Sequence, residues 1–173
     1  MRWLLLVPLA CAALPRAALA DHPIPVAAVS ALDMRAPGDD GGLDKLGTAV
    51  GASIMLLNLD EDVPIGFEAG TIFLRGVDGQ RLYDLGLSVL VSYDFRHELA
   101  APMAEFGLDL SASSLPRADG GKDRGVMAGV HGGVGLHGFF GNDIYWRGMV
   151  GYHGAGIGAV VGQVSLGYRF GRD

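Results

Sequence analysis

The stretch "GVHGGVGLHGFFG", residues 129–141, contains residue types suited to two kinds of chemistry. Gly133-Val134-Gly135-Leu136-His137-Gly138 spells G-x-G-x-x-G, whose glycines let a backbone approach a dinucleotide pyrophosphate. His131 and His137 offer imidazole nitrogens to a metal ion. Each reading needs its own local structure. The fingerprint must follow a strand and open a helix, and two ligands of one metal must converge on a point about 2 Å from each. Here Val126, Ala128, Val130, Val134 and Leu136 alternate with Gly129, His131, Gly133, Gly135 and His137, which is the period of a strand. A second strand pattern follows after only "GN", leaving no room for a helix. On a strand, six residues separate His131 from His137 by about 20 Å, too far to share an ion. A metal would need cross-strand partners such as His153 or Asp109, and the sequence does not set that register. The expectation is therefore imidazoles hydrogen-bonded on a polar strand face, with no metal and no cofactor.

The same period recurs along the chain. In "LYDLGLSVLVSYDFRH", Tyr83, Leu85, Leu87, Val89, Val91, Tyr93 and Phe95 oppose a mostly polar set, Asp84, Gly86, Ser88, Leu90, Ser92, Asp94 and Arg96. Ile65, Phe67, Ala69 and Phe73 oppose Gly66, Glu68 and Gly70, and Phe106, Leu108 and Leu110 oppose Glu105, Gly107, Asp109 and Ser111. Ile144, Trp146, Val150 and Tyr152 oppose Tyr145, Arg147, Gly151 and His153. Val160, Val164, Leu166, Tyr168 and Phe170 oppose Gln163, Ser165, Gly167 and Arg169. Leu46–Asn58 repeats the pattern less cleanly. An amphipathic helix would repeat its apolar positions at three and four instead.

Seven strands are thus explicit. Single-chain bacterial membrane barrels are even-numbered, and "IPVAAVSALDMR", residues 24–35, is the natural eighth despite Pro25. Alternation alone fits a soluble barrel with an apolar inside or a membrane barrel with an apolar outside. Composition separates them. A water-facing sheet should be rich in charge, yet the only lysines, Lys45 and Lys122, fall in or beside loops, and the polar faces are mostly Gly, Ala and Ser. Such faces suit a confined interior. Tyr83 with Phe95, and Trp146 with Tyr152, sit toward the ends of apolar faces, where aromatic girdles meet membrane interfaces. The predicted fold is an all-β, antiparallel, up-and-down transmembrane barrel of eight strands.

The flanking segments agree with export. "MRWLLLVPLACAALPRAALA", residues 1–20, has a basic start, an apolar run and an Ala18-Leu19-Ala20 cleavage site, the signature of a secretory signal peptide. The alternative, lipoprotein processing at Cys11, leaves an apolar segment at the short end for an export signal. Residues 21–173 form the barrel domain and contain no cysteine, which removes disulfide and thiol chemistry. Without Arg2 and Arg16, eleven basic residues face nineteen acidic ones, a net −8 that disfavours nucleic acid. No apolar stretch after the signal reaches the roughly 18 residues of a membrane helix.

Counting back from a periplasmic C-terminus assigns "HGAGIG", "LPRADGGKDRG", "GVDGQ" and "APGDDGGLDK" to the outside, and "GN", "RHELAAP" and "DEDV" to the periplasm. Val77-Asp78-Gly79 fits a three-residue hairpin with Gly at the bulge position, and counting from it sets Glu68 opposite Ser88. Glu68, Asp84, Asp94, Arg96, Glu105, Asp109, Arg147 and Arg169 then all face inward with His131 and His137. A lone charge in a narrow lumen is unfavourable, so these should pair across it as a structural network.

At this level the chain resembles the small eight-stranded outer-membrane barrels of Gram-negative bacteria, the OmpA/OmpX-like class. Its ending, Gln163-Val-Ser-Leu-Gly-Tyr168-Arg-Phe170, resembles the signal read by the barrel-assembly machinery, although Ser165 replaces a common Gly and three residues follow Phe170. The resemblance implies a monomer in the outer membrane, cleaved near Ala20, in contact with outer-membrane lipids and lipopolysaccharide. It implies a structural, envelope-stabilising or surface-interaction role without an open pore. Two alternatives stand beside it: a lipid A-modifying enzyme and a soluble periplasmic ligand-binding barrel. Outer-membrane lipid A deacylases are also small barrels with a His-x-Ser-Asn-Ala-Gly motif, which Tyr152-His153-Gly154-Ala155-Gly156 resembles in part, without the serine. Ser113 or Ser114 would serve as nucleophile only if brought to His153, and no catalytic residue is assigned.

Overall fold

The computed structural model describes residues 24–39, 41–57, 65–76, 79–92, 100–116, 122–141, 143–154 and 158–170. The signal peptide, Val77, Asp78, Asp94 and Arg96 lie outside them. Eight strands follow in order: β1 (Ile24–Pro37), β2 (Leu43–Leu57), β3 (Ile65–Gly76), β4 (Arg81–Ser92), β5 (Ala101–Pro116), β6 (Lys122–Phe140), β7 (Ile144–His153) and β8 (Ala159–Arg169). Each pairs antiparallel with its neighbour in sequence, and β1 pairs with β8 to close the barrel. Closure leaves no sheet edge, so the wall satisfies its own backbone hydrogen bonds. The G-x-G-x-x-G run lies wholly within β6 and opens no helix.

The β3–β4 hairpin shows how local chemistry sets register. Gly79 adopts a φ of +74°, and the Gly76 amide donates to the Gln80 carbonyl at 2.9 Å, which ties the end of β3 to the start of β4. Pairing then runs Arg75 with Arg81 down to Glu68 with Ser88. One irregularity interrupts β1 and β2: Met34 pairs with Gly47 and Arg35 with Lys45, leaving Leu46 without an opposite residue.

The alternating residues point as the parity divides them. Val29, Val50, Leu87, Leu108, Leu110, Val130, Val134, Val150, Val164 and Leu166 are exposed on the outer wall, Leu108 at 62% and Val164 at 63%. Aromatic rings mark both ends of this apolar wall. Phe73, Tyr83 and Tyr152 lie toward the β3–β4 and β7–β8 connections, whereas Phe140, Trp146, Tyr168 and Phe170 lie toward the β6–β7 turn. Beyond the band at the first end, Asp33, Arg35 and Lys45 form an exposed ionic cluster, with Arg35 Nε 2.9 Å from the Asp33 carboxylate.

The interior has three layers. Val26, Ala28, Met55, Leu57, Leu90, Met103 and Tyr145 form an apolar plug at the end holding Ile24 and Phe170. Leu32, Met34, Ala49, Leu74, Leu82, Ala159 and Val161 form a second plug at the other end. Polar and charged side chains fill the space between. The inward faces are therefore more apolar than their Gly, Ala and Ser content predicts, because side chains of Leu and Met size pack together toward each end of the barrel.

Candidate functional site in the lumen

The middle layer centres on Arg147, which is 1% exposed. It sits on the inward face of β7, next to Tyr145 of the apolar plug. Its guanidinium reaches across the barrel to β3, where Nη2 donates to Glu68 Oε1 at 3.0 Å and Nη1 donates to Oε2. The same Nη1 donates to Glu105 Oε2 of β5 at 3.1 Å. This planar fork engaging one carboxylate through two parallel bonds is the geometry that distinguishes Arg from Lys.

From Glu105 the contacts continue along β5 and β6. Glu105 Oε1 accepts from Ser88 Oγ at 2.9 Å and faces His131 Nε2 at 3.1 Å. His131 Nδ1 lies 2.7 Å from Asp109 Oδ1. Both ring nitrogens thus face carboxylate oxygens, the arrangement in which ionised carboxylates hold a doubly protonated imidazole. Gly107 makes room for this ring: a methyl group there would collide with it and approach the Leu87 carbonyl oxygen at 2.5 Å.

The chain of contacts ends at Asp84, Asp109 and His153. His153 Nε2 lies 3.2 Å from Asp84 Oδ2 and 3.4 Å from Asp109 Oδ2. Asp84 Oδ1 accepts a short hydrogen bond from Ser111 Oγ. His131 and His153 are registered neighbours on β6 and β7, with nearly parallel rings 6.4 Å apart. A cavity of about 70 Å³ adjoins these groups and is lined by Glu68, Asp84, Glu105, Asp109, Arg147 and His153, among others.

Glu68, Asp84, Glu105, Asp109, His131 and Arg147 thus meet in one assembly, although Glu68 and Arg147 are 79 residues apart. His137 is buried below it, 3.2 Å from the Tyr145 hydroxyl. Arg169 does not join: it lies at the last position of β8, beside the end where Val26 begins the plug. Arg96 lies outside the described residues. Gln163 points inward and donates to Ser30 at 3.1 Å and Ser165 at 3.0 Å, forming a smaller polar cluster, whereas Tyr168 and Phe170 face outward. Parity placed His153, Ser88 and Ser111 on the polar faces of their strands, but the sequence did not assign them to the charged network, because their contacts depend on register across several strands.

Ser111 is not placed to act as a nucleophile with His153 as its base. A catalytic serine must donate its proton to the base, but Ser111 donates to Asp84 and the carboxylate stands between it and His153. Ser113 lies two residues beyond Ser111 on β5, about 7 Å further along the strand.

No protein-family profile and no curated protein sequence matches the chain. Among solved structures, the N-terminal β-barrel domain of OprF from Pseudomonas aeruginosa is similar with a TM-score of 0.60 and 17% identity, covering 86% of this chain and 100% of that one. Ail, the attachment invasion locus protein of Yersinia pestis, is similar with a TM-score of 0.60 and 13% identity, covering 86% and 99%. Neisserial surface protein A is similar with a TM-score of 0.58 and 15% identity, covering 84% and 95%. By fold, the chain is an eight-stranded up-and-down barrel of the kind these small outer-membrane proteins form.

Proposed function

We propose that the protein is an integral outer-membrane barrel with a sealed lumen, acting as a structural, envelope-stabilising or surface-interaction element. The observation that carries this reading is the combination of an apolar outer wall with two apolar plugs enclosing a charged layer. A soluble ligand-binding barrel would turn its apolar faces inward around a cavity, whereas here the exposed wall is the surface that lipid solvates. The aromatic rings at both ends suit the two membrane interfaces. Export begins with cleavage near Ala20, and the barrel-assembly machinery engages the end of β8, where Tyr168 and Phe170 project outward. Outer-membrane lipids and lipopolysaccharide are then its immediate neighbours, and the closed barrel works as a monomer in a Gram-negative envelope.

The test is fractionation of expressing cells, with the unboiled protein run beside the boiled one. Recovery with outer membranes and faster migration before boiling are the expected results, because a closed barrel resists detergent unfolding. Recovery in the soluble periplasm without detergent overturns the membrane reading. Steady conductance after reconstitution into planar bilayers overturns the sealed lumen.

A further inference from the structure

We propose that Asp84, Asp109 and His153 form a divalent-cation site inside the barrel, suited to zinc and joining β4, β5 and β7. Three independent features point to it. The first is convergence: one ligand atom from each of Asp84, Asp109 and His153 lies within 4.8 Å of the other two, and His153 Nε2 faces Oδ2 of both carboxylates. The two separations from the imidazole, 3.2 and 3.4 Å, match the edge of a tetrahedron around zinc, roughly 3.3 Å for metal–ligand bonds of about 2.0 Å. One imidazole with two carboxylates is a ligand set that zinc accepts.

The second feature is an orphaned atom. Asp109 is 5% exposed, and its Oδ2 is a buried carboxylate oxygen that accepts no hydrogen bond among the described residues. It is aimed at the point that Asp84 Oδ2 and His153 Nε2 share. The other oxygen of each carboxylate is already held from behind, Asp84 Oδ1 by Ser111 and Asp109 Oδ1 by His131. Such outer contacts orient ligands and leave the inner atom for the metal. The cavity of about 70 Å³ beside these residues is ample for a water as fourth ligand, which requires roughly 10–15 Å³.

The third feature is charge. Glu68, Glu105, Asp84 and Asp109 bring four carboxylates into the layer, where Arg147 is the one guanidinium that reaches them among the described residues. A divalent cation held by Asp84, Asp109 and His153 offsets two of those charges.

The experiment uses the mature chain folded in detergent, stripped with a chelator and titrated with zinc alone against a chromogenic competitor. The wild type should take up one zinc per barrel. His153→Ala and Asp109→Asn should each weaken binding at least about tenfold, whereas His137→Ala, which touches a different part of the lumen, should bind as the wild type does. Faster gel migration before boiling establishes that each variant is folded. Should a ligand variant not fold, X-ray absorption at the zinc edge of the wild type decides, with one imidazole among oxygen ligands expected. Absence of stoichiometric zinc at excess metal, unchanged affinity in folded His153→Ala, or two or more imidazoles at the zinc overturns the proposal.

Discussion

Replacing Arg147 by Leu is the most informative perturbation of the lumen. Arg147 makes both of the side-chain contacts that hold Glu68 and one of the three that hold Glu105. Without it, Glu105 keeps Ser88 and His131, but Glu68 is left as a buried carboxylate with no side-chain donor among the described residues. Breaking a buried pair by removing one partner destabilises by about 3–5 kcal/mol. Both residues line the polar cavity, where water can solvate the orphan, so the expected loss is near about 3 kcal/mol. Removing both partners, in Glu68→Leu/Arg147→Leu, leaves no orphan, and replacing an ion pair by apolar side chains is often neutral. The double variant should therefore recover at least about 2 kcal/mol relative to Arg147→Leu.

Equilibrium unfolding by urea in lipid vesicles measures these differences. The signals are the fluorescence of Trp146, the only tryptophan after the signal segment, and gel mobility before boiling as a second probe. The single variants and the double form a cycle that isolates the pairwise term. A loss below about 1 kcal/mol for Arg147→Leu, or additivity within about 0.5 kcal/mol, would refute the argument that Arg147 is there to neutralise Glu68.

Three further outcomes test the assignment of faces, close approaches and turns. Leu108→Arg, at mid-strand on the outer wall, should destabilise the barrel in vesicles by about 2–4 kcal/mol, while Leu43→Arg at the start of β2 should cost no more than about 1 kcal/mol; equal effects would contradict a membrane-embedded wall. Gly107→Ala should lose about 1–3 kcal/mol by forcing the added methyl against the Leu87 carbonyl and the His131 ring, and Gly162→Ala, where nothing lies within 4 Å, should unfold as the wild type does. Gly79→Val should lower stability by about 1–3 kcal/mol because a β-branched residue is strained at a φ of +74°; an unchanged urea midpoint would show that the hairpin relaxes to another turn.

The faces of the strands were legible because alternation is a property of one strand at a time. Leu108 and Asp109 declare opposite sides without reference to any neighbour. The Glu68–Ser88 pairing was legible too, since a short turn with Gly at one position transmits register directly. Beyond that reach, information in one segment does not set its partner. The longer connections between β4 and β5 and between β5 and β6 hide how Glu105 and Asp109 line up with His131. The Arg147–Glu68 contact crosses the lumen between strands that share no hydrogen bond, so no local count reaches it. The same limit concealed the meeting of Asp84, Asp109 and His153, which depends on the closure of the whole barrel.

The weak alternation of β1 has a physical cause in the layered interior. Its inward residues run Val26, Ala28, Ser30, Leu32, Met34, so the strand passes through both apolar plugs and meets the polar layer only at Ser30. Its outward residues Ala27, Val29 and Ala31 are apolar as well, and a strand apolar on both faces shows no period. On β4 the inward residues are Leu82, Asp84, Ser88, Leu90 and Ser92, with charge near the centre and leucines toward each plug, so the period survives. The apolar clusters also set the strength of the network between them. Burial of Arg147, Glu68 and Glu105 lowers the local dielectric, which strengthens each made pair and penalises each broken one. Apolar residues toward the ends of the barrel and charged residues between them are therefore coupled: the clusters bury the charges, and the pairing of the charges is what lets them be buried.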